Sequence, residues 1–272
     1  MSGGGAHAWI GWWCAQALDG TASLDPRPRT PHPWWPPLSD SPTPTAVRIP
    51  LSGTQAVAEV GGLVWPGVDP DAPAVILAHG AGTDMQHAHM QRHARDLAVA
   101  GHPTALFNFA YTEMGRRRPD PAARLHSAWC DAIAVLRPLL GAERALVIGG
   151  RSMGGRIASM VAAADGAALG LAGIACLAYP LHPPGRPEKL RIGHWPLLAV
   201  PVLLVSGSRD AMAPLPALHA TLADHMPSGI ATLHVVRGAD HSFHVRRADG
   251  RTGQEVLDEV GAATTDWLSA LA

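Results

Sequence analysis

Short apolar segments alternate with amphipathic segments along most of this chain, and this alternation restricts the fold more than any other feature. The apolar segments have the length and composition of buried strands and occupy residues 74–78, 104–109, 145–148, 171–178, 202–205 and 232–236. Helical periodicity is found between and after them, at residues 87–100, 121–140, 153–164, 215–225 and 255–271. Buried strands that alternate with helices form βαβ units, which make a mostly parallel sheet with helices on both faces. The sequence therefore predicts the α/β class.

The part of the chain before the first buried strand divides into two regions. Residues 46–51 and 56–65 alternate between apolar and polar side chains, which predicts an antiparallel hairpin. Residues 1–45 contain eight of the 25 prolines and five of the nine tryptophans, without periodicity. Such a segment cannot form a core, so we expect a disordered or loosely docked arm at 1–45 and one folded domain at 46–272. The arm either binds a partner through its tryptophans or is dispensable.

Charge and cysteine content argue against several classes of protein. The net charge is −1, and the longest basic stretch is residues 116–118, so we expect neither nucleic acid nor a membrane as partner. We find no apolar stretch long enough to span a membrane and no signal peptide, and we expect a cytoplasmic location. Three cysteines, far apart, offer neither a disulfide framework nor a zinc site. Two histidines one helical turn apart, His89 and His93, lack a further ligand, so no metal or cofactor is predicted.

The chemistry is expected just after the strands, because ligands of parallel sheets bind beyond the carboxyl ends of the strands. The strand at residues 145–148 leads into GGRSMGG at residues 149–155. Its Gly-x-Ser-x-Gly pattern, centred on Ser152, is typical of a nucleophile elbow, a turn too tight for side chains on either side of the serine. The pattern alone is weak, since a chain with this glycine content matches it by chance about 0.15 times.

Two further polar side chains follow later strands. Asp210 comes after the strand at 202–205, and His241 comes after the last strand. Ser152, Asp210 and His241 therefore occur in the order nucleophile, acid, base, each at the end of its own strand. The arrangement predicts that His241 takes the proton of Ser152 while Asp210 orients the imidazole. Asp240 is an alternative acid, although a residue adjacent to the histidine points elsewhere in most backbone geometries.

Other residues near these strand ends are candidates for binding the substrate. The backbone N–H groups of Ala81 and Met153 are the expected oxyanion hole. Candidate substrate contacts come from the loop after residues 74–78, from the elbow and from the proline-rich segment 179–191; they are His79, Gly80, Arg151, Tyr179 and His182. The guanidinium of Arg151, next to Ser152 in the sequence, either binds a carboxylate of the substrate or forms a structural salt bridge. The proline-rich segment is short enough to predict a flap and not a helical cap.

Four strings in the sequence match a known family. They are LAHGAG at 77–82, GGRSMGGR at 149–156, YPLHPPGRPEKLR at 179–191 and GADHS at 238–242. The body from residue 46 resembles the α/β-hydrolase superfamily, and more narrowly the dienelactone-hydrolase-like group that includes testis-expressed protein 30 and the hydrolase-like domain of an NSL chromatin-complex subunit. The resemblance implies an α/β-hydrolase fold with a minimal cap or none and a hydrolytic activity. It leaves the substrate open.

The residues and the resemblance together predict a metal-independent serine hydrolase with an esterase-, lactonase- or thioesterase-like activity. It would act on a small-molecule ester-type substrate through an acyl-enzyme on Ser152. Two alternatives stay open: a catalytically idle interaction module with this fold, and a cofactor-free haloperoxidase or carbon–carbon bond hydrolase that uses the same three residues. The sequence does not determine the oligomeric state.

Overall fold

The computed structural model describes residues 42–53 and 55–271, which form one eight-stranded sheet flanked by helices. The predicted arm at 1–45 lies almost entirely outside the described residues. The strands are β1 Thr45–Pro50, β2 Glu59–Trp65, β3 Ala74–Ala78, β4 Thr104–Phe107, β5 Leu146–Arg151, β6 Leu171–Leu177, β7 Val202–Gly207 and β8 Ala231–Val236. The α-helices are α1 Ala88–Val99, α2 Ala110–Glu113, α3 Ala122–Leu140, α4 Met153–Asp165, α5 Leu215–His225 and α6 Gly253–Ser269.

The strand order is β1-β2-β4-β3-β5-β6-β7-β8. β1 pairs with β2, and β2 pairs with β4, in antiparallel fashion, whereas every neighbouring pair from β4 to β8 is parallel. The predicted α/β class and the predicted leading hairpin are both confirmed. Because β3 and β5 lie side by side in the middle, the loops that follow them meet at the centre of the carboxyl edge. None of the helices in the described part of the chain is both long and apolar enough to cross a membrane.

The central strand β3 shows why the sheet is covered on both sides. All five of its residues are buried, and successive side chains point to opposite faces. Ile76 belongs to a core with residues of α3 and α4, such as Trp129 and Ile157. Val75 and Leu77 belong to a second core with residues of α1 and α6. A strand without polar residues is thus stable here because neither of its faces meets water.

Some element boundaries differ from those that the sequence predicts. The strand predicted at 104–109 ends at Phe107, and the short helix α2, which the sequence did not predict, follows. The side chain of Asn108 accounts for this change of direction. Its Oδ1 accepts a hydrogen bond from the backbone N–H of Met85, and its Nδ2 donates to Glu113 in α2. The hydrogen bond with Met85 joins Asn108 to a residue 23 positions earlier, and local propensity contains no information about such a contact.

His93 lies on the buried face of α1, and we find no hydrogen-bond partner for its Nε2 among the described residues. Burial lowers the pKa of His93 from 6.5 to about 4, because a charged imidazole would lose its hydration there. The folded protein therefore keeps this ring neutral at pH values where the unfolded chain protonates it. Below pH 6.5 the unfolded state binds more protons than the folded state, so acidification favours unfolding.

We expect His93→Leu to flatten the dependence of stability on pH. In the wild-type protein, the shift of the His93 pKa lowers the free energy of unfolding by about 2 kcal/mol between pH 7 and pH 5. The variant should lack this contribution, as urea unfolding at both pH values would show. The exposed His219 provides the control, and His219→Gln should keep the wild-type pH dependence. If the free energy of unfolding falls by the same amount between pH 7 and pH 5 in His93→Leu and in the wild type, the lowered pKa of His93 is contradicted.

β5 and β6 approach each other closely at Gly149. It pairs with Ala175, and a Cβ added at Gly149 would lie 2.1 Å from the carbonyl oxygen of Ala175. We expect Gly149→Ala to lower the free energy of unfolding by roughly 3 kcal/mol, because backbone must move to admit the methyl group. Gly261 in α6 is the matched control, since a Cβ there meets nothing within 4 Å. Gly261→Ala should stabilise by about 0.5–1 kcal/mol. Thermal and urea unfolding would measure both.

Candidate active site

Ser152 occupies a strained turn between β5 and α4. Its φ of 50° and ψ of −112° lie in a region that non-glycine residues rarely adopt, at a cost of about 1–3 kcal/mol. Neighbouring glycines make the turn possible, because a Cβ at Gly150 or at Gly154 would lie 2.1 Å from the carbonyl oxygen of Ala78. The backbone N–H of Ser152 donates to Leu177 at 2.8 Å. The turn is therefore fixed against β3 and β6, and it presents the serine at the sheet edge.

Ser152, His241 and Asp210 lie together as a chain of hydrogen bonds. Ser152 Oγ is 2.9 Å from His241 Nε2, and His241 Nδ1 is 2.7 Å from Asp210 Oδ2. Asp210 is only 2% exposed, and its Oδ1 accepts a hydrogen bond from the backbone of Met212 at 2.7 Å. A fixed carboxylate that accepts from Nδ1–H leaves Nε2 as the acceptor of the serine proton. The structure thus brings together the three side chains that the sequence analysis singled out, and the roles predicted for them stay predictions.

Asp240, the alternative acid, has another role in the loop after β8. Its Oδ1 accepts hydrogen bonds from the backbone N–H groups of Ser242 and His244, at 2.8 and 3.0 Å. The carboxylate of Asp240 therefore holds the loop that carries His241. The hydrogen bond to the imidazole comes from Asp210 instead.

A cavity of about 750 Å³ opens over the serine. Ala81 and Met153 both line it, as do Gly80 and Arg151. Within the described residues we find no hydrogen-bond acceptor for the backbone N–H of Ala81 or of Met153. Met153 is also the first residue of α4, where the positive end of the helix dipole favours a developing negative charge. The predicted oxyanion donors are thus free to bind a ligand oxygen.

Three of the predicted substrate contacts do not line the cavity. His79 is fully buried, its Nδ1 donates to the carbonyl of Gly80 at 2.8 Å, and its Nε2 accepts from the backbone of Phe109 at 3.3 Å. Burial lowers the pKa of His79 to about 4, so the ring stays neutral and braces the oxyanion loop. Tyr179 and His182 are also buried, and each bonds to a backbone carbonyl. These side chains support the walls and do not face a substrate.

The cavity wall also includes residues that the sequence analysis did not assign to a substrate. They are two arginines and three histidines: Arg156, Arg191, His87, His89 and His244. The sequence could have identified one of them, Arg156. It follows Ser152 by four residues and so lies on the same face of α4. The other four come from α1, its preceding loop, the proline-rich segment and the loop after β8, and only the tertiary structure brings them together.

Metal-ligating atoms also approach one another elsewhere in the described residues. His126, Cys130 and Asp165 each offer one such atom, and these lie within 4.8 Å of one another. His126 Nε2 already bonds to Asp165 Oδ2 at 3.0 Å, and none of the three lines the cavity over Ser152. The absence of a metal and of a cofactor at Ser152 stays a prediction.

Several solved structures have a similar fold. A dienelactone hydrolase from Anabaena variabilis matches with a TM-score of 0.65 and 19% identity, over 85% of this chain and 98% of its own. An α/β serine hydrolase homologue from Coxiella burnetii has a TM-score of 0.60 and 19% identity, over 81% of this chain and 96% of its own. A lidless α/β serine hydrolase from Xanthomonas campestris has a TM-score of 0.58 and 17% identity, over 82% of this chain and 94% of its own. These likenesses confirm the α/β-hydrolase fold.

The sequence itself matches a family described as an alpha/beta hydrolase domain, over residues 71–269. The match begins just before β3 and ends with the last helix, so it includes the elbow and the loops after β7 and β8. The narrower resemblance to testis-expressed protein 30 and the chromatin-complex subunit stays a prediction. Since the match covers most of the 272 residues, the chain belongs to the α/β-hydrolase domain family.

Proposed function

We propose that this protein is a metal-independent serine hydrolase that acts on carboxylic esters, lactones or thioesters. The observation that supports this most is the continuous hydrogen-bond chain from Ser152 Oγ through His241 to Asp210, at the floor of an open cavity. A structural serine in a turn has no need of a strained backbone, an imidazole within hydrogen-bond distance and a buried carboxylate behind that imidazole. The predicted absence of nucleic-acid and membrane partners and the cytoplasmic location stay predictions.

In the first half of the reaction, Ser152 Oγ attacks the carbonyl carbon of the substrate. His241 Nε2 takes the hydroxyl proton as the new C–O bond forms, and the carbonyl oxygen becomes an oxyanion. The N–H groups of Ala81 and Met153 stabilise that oxyanion. When the tetrahedral intermediate collapses, the bond to the leaving group breaks, and His241 returns the proton to the alcohol or thiol. The product of this half is an acyl-enzyme on Ser152.

In the second half, a water molecule takes the place of the leaving group. His241 accepts a proton from the water as its oxygen attacks the acyl carbon, and then returns the proton to Ser152 Oγ when the acyl bond breaks. Asp210 accepts the hydrogen bond from His241 Nδ1–H in each half and stabilises the imidazolium that forms. Because these steps need only groups of the chain and water, the mechanism requires no cofactor.

A serine-directed probe tests this proposal. A fluorophosphonate should label the wild-type protein, and Ser152→Ala and His241→Ala should abolish or strongly reduce the labelling. Short-chain 4-nitrophenyl esters should be hydrolysed by the wild type alone. Labelling that survives Ser152→Ala, or no labelling of the wild type, would contradict the proposed hydrolase function. Either result would favour the catalytically idle interaction module. Labelling without turnover of any ester, lactone or thioester would favour haloperoxidase or carbon–carbon bond chemistry.

The acid is tested by two matched carboxylate-to-amide changes. We expect Asp210→Asn to lower kcat for a 4-nitrophenyl ester by about 10⁴-fold, because the amide no longer holds the imidazole in the required tautomer. Asp240→Asn keeps an oxygen that can accept hydrogen bonds from the backbone N–H groups of Ser242 and His244. This variant should therefore lower kcat by less than about tenfold. Circular dichroism would check that both variants fold. Equal losses, or a larger loss for Asp240→Asn, would refute the assignment of Asp210.

A further inference from the structure

Three arginines line the cavity over Ser152, at positions 151, 156 and 191, and all three are half-buried. Among the described residues, none of them has a carboxylate within salt-bridge distance, 4.0 Å. The Nε atoms of Arg151 and Arg156 are buried and have no hydrogen-bond partner there either. The one acidic residue of the wall, Asp120, already accepts a hydrogen bond from Arg116 at 3.1 Å. The cavity therefore holds an excess of positive charge.

Arg156 and Arg191 are a pair within this group. Arg156 lies one helical turn beyond Ser152, and its backbone N–H donates to the serine carbonyl at 3.0 Å. Arg191 ends the proline-rich segment, where its carbonyl accepts from Tyr179 Oη at 2.6 Å and its N–H donates to Leu181 at 2.8 Å. Both backbones are thus fixed. Both side chains line the same cavity, and burial, with the charge of Arg156 second, lowers the pKa of Arg191.

Arg151 is in a different electrostatic position. The negative charges of Asp240 and Asp210 act on it and oppose the effect of burial on its pKa. For Arg156 and Arg191 the group that opposes burial is the phenol of Tyr179, and no carboxylate of the described residues acts on them in this way. The weak acceptor Met160 Sδ lies 3.4 Å from Arg156 Nη1, and among the described residues Nη2 of that guanidinium has no hydrogen-bond partner. The uncompensated charge of the cavity is therefore concentrated on Arg156 and Arg191.

We propose that Arg156 and Arg191 form a subsite for a dianionic group of the phosphate monoester class, carried by the substrate that Ser152 attacks. This rests on the proposed hydrolase function. Two guanidinium groups are neutralised by a dianion but only half neutralised by one carboxylate. Phosphate also offers three terminal oxygens, which suits donation from two planar guanidiniums. Neither arginine takes part in the steps at the carbonyl, so the subsite determines which ester is bound.

The position of the subsite limits the shape of the substrate. Four residues of α-helix rise about 6 Å, so the Cα of Arg156 lies about one turn from that of the nucleophile. The phosphate and the scissile carbonyl must therefore be several bonds apart in the same molecule. An acyl chain of about four carbons that ends in a phosphate or phosphonate spans this distance.

Three 4-nitrophenyl esters of similar length test the charge requirement. They are the hexanoate, which is neutral, the glutarate monoester, which carries one carboxylate, and the 4-phosphonobutyrate, which is dianionic at pH 8.5. We expect kcat/KM for the phosphonate ester to exceed that for the hexanoate by about tenfold or more, with the glutarate ester in between. Arg156→Gln and Arg191→Gln should each lower the phosphonate-to-hexanoate ratio about tenfold, and Arg156→Lys should restore part of it. The exposed Arg237 supplies the control, and Arg237→Gln should leave the ratio unchanged.

Direct binding separates failure of the subsite from failure of the hydrolase. Titration calorimetry with inorganic phosphate and with 4-phosphonobutyrate measures the subsite whether or not any ester is hydrolysed. Binding that weakens in Arg156→Gln and Arg191→Gln but not in Arg237→Gln supports the subsite. No binding of either anion to the wild type, or binding that the two variants do not weaken, overturns it. A kcat/KM for the glutarate ester that equals or exceeds that for the phosphonate ester would also overturn the proposed preference for a dianion. Failure of fluorophosphonate labelling at Ser152, by contrast, concerns the hydrolase alone.

Discussion

The close approach of the turn at Ser152 to the end of β3 is the constraint on which the rest of the site depends. Gly150 and Gly154 both pass so near the carbonyl oxygen of Ala78 that neither position admits a Cβ. Ser152 lies between these two glycines, has a positive φ and lines the cavity. Strain of this kind persists only where the surroundings compensate for it, and the packed strands β3, β5 and β6 supply that compensation.

The parallel sheet then brings the remaining groups to the serine. β7 and β8 end at the same edge as β5, so Asp210 and His241 arrive from loops far apart in sequence. Two of the supporting contacts come from groups that touch no substrate. Asp240 holds the loop of His241, and the neutral ring of His79 braces the loop of Ala81. The loops that carry His241 and Ala81 are thus held by hydrogen bonds behind the cavity, of which the one made by His79 is buried and protected from competing water.

The cavity differs from the protein as a whole in its electrostatic character. The chain has a net charge of −1, yet Arg151, Arg156 and Arg191 line one cavity, and none of them has a carboxylate within 4.0 Å among the described residues. Composition averages over the whole surface and hides such local fields. A guanidinium that lies in a cleft of low dielectric constant interacts more strongly with an anion than one in water does. The arginines around Ser152 therefore give the cavity a positive charge that the net charge of the chain conceals.

The sequence by itself determined the fold class, the order of the strands along the chain and the three residues that meet at the centre of the site. It could do so because the periodicity of buried side chains and the steric demand for glycine around Ser152 are local properties. Local patterns say nothing about which direction a side chain faces once its strand or loop is packed. His79, Tyr179 and His182 were therefore expected at the substrate but lie behind the wall, where their polar atoms satisfy backbone groups. Only the tertiary structure decided that Arg156 and Arg191 share one cavity, because that depends on how α4 and the proline-rich segment pack over the sheet.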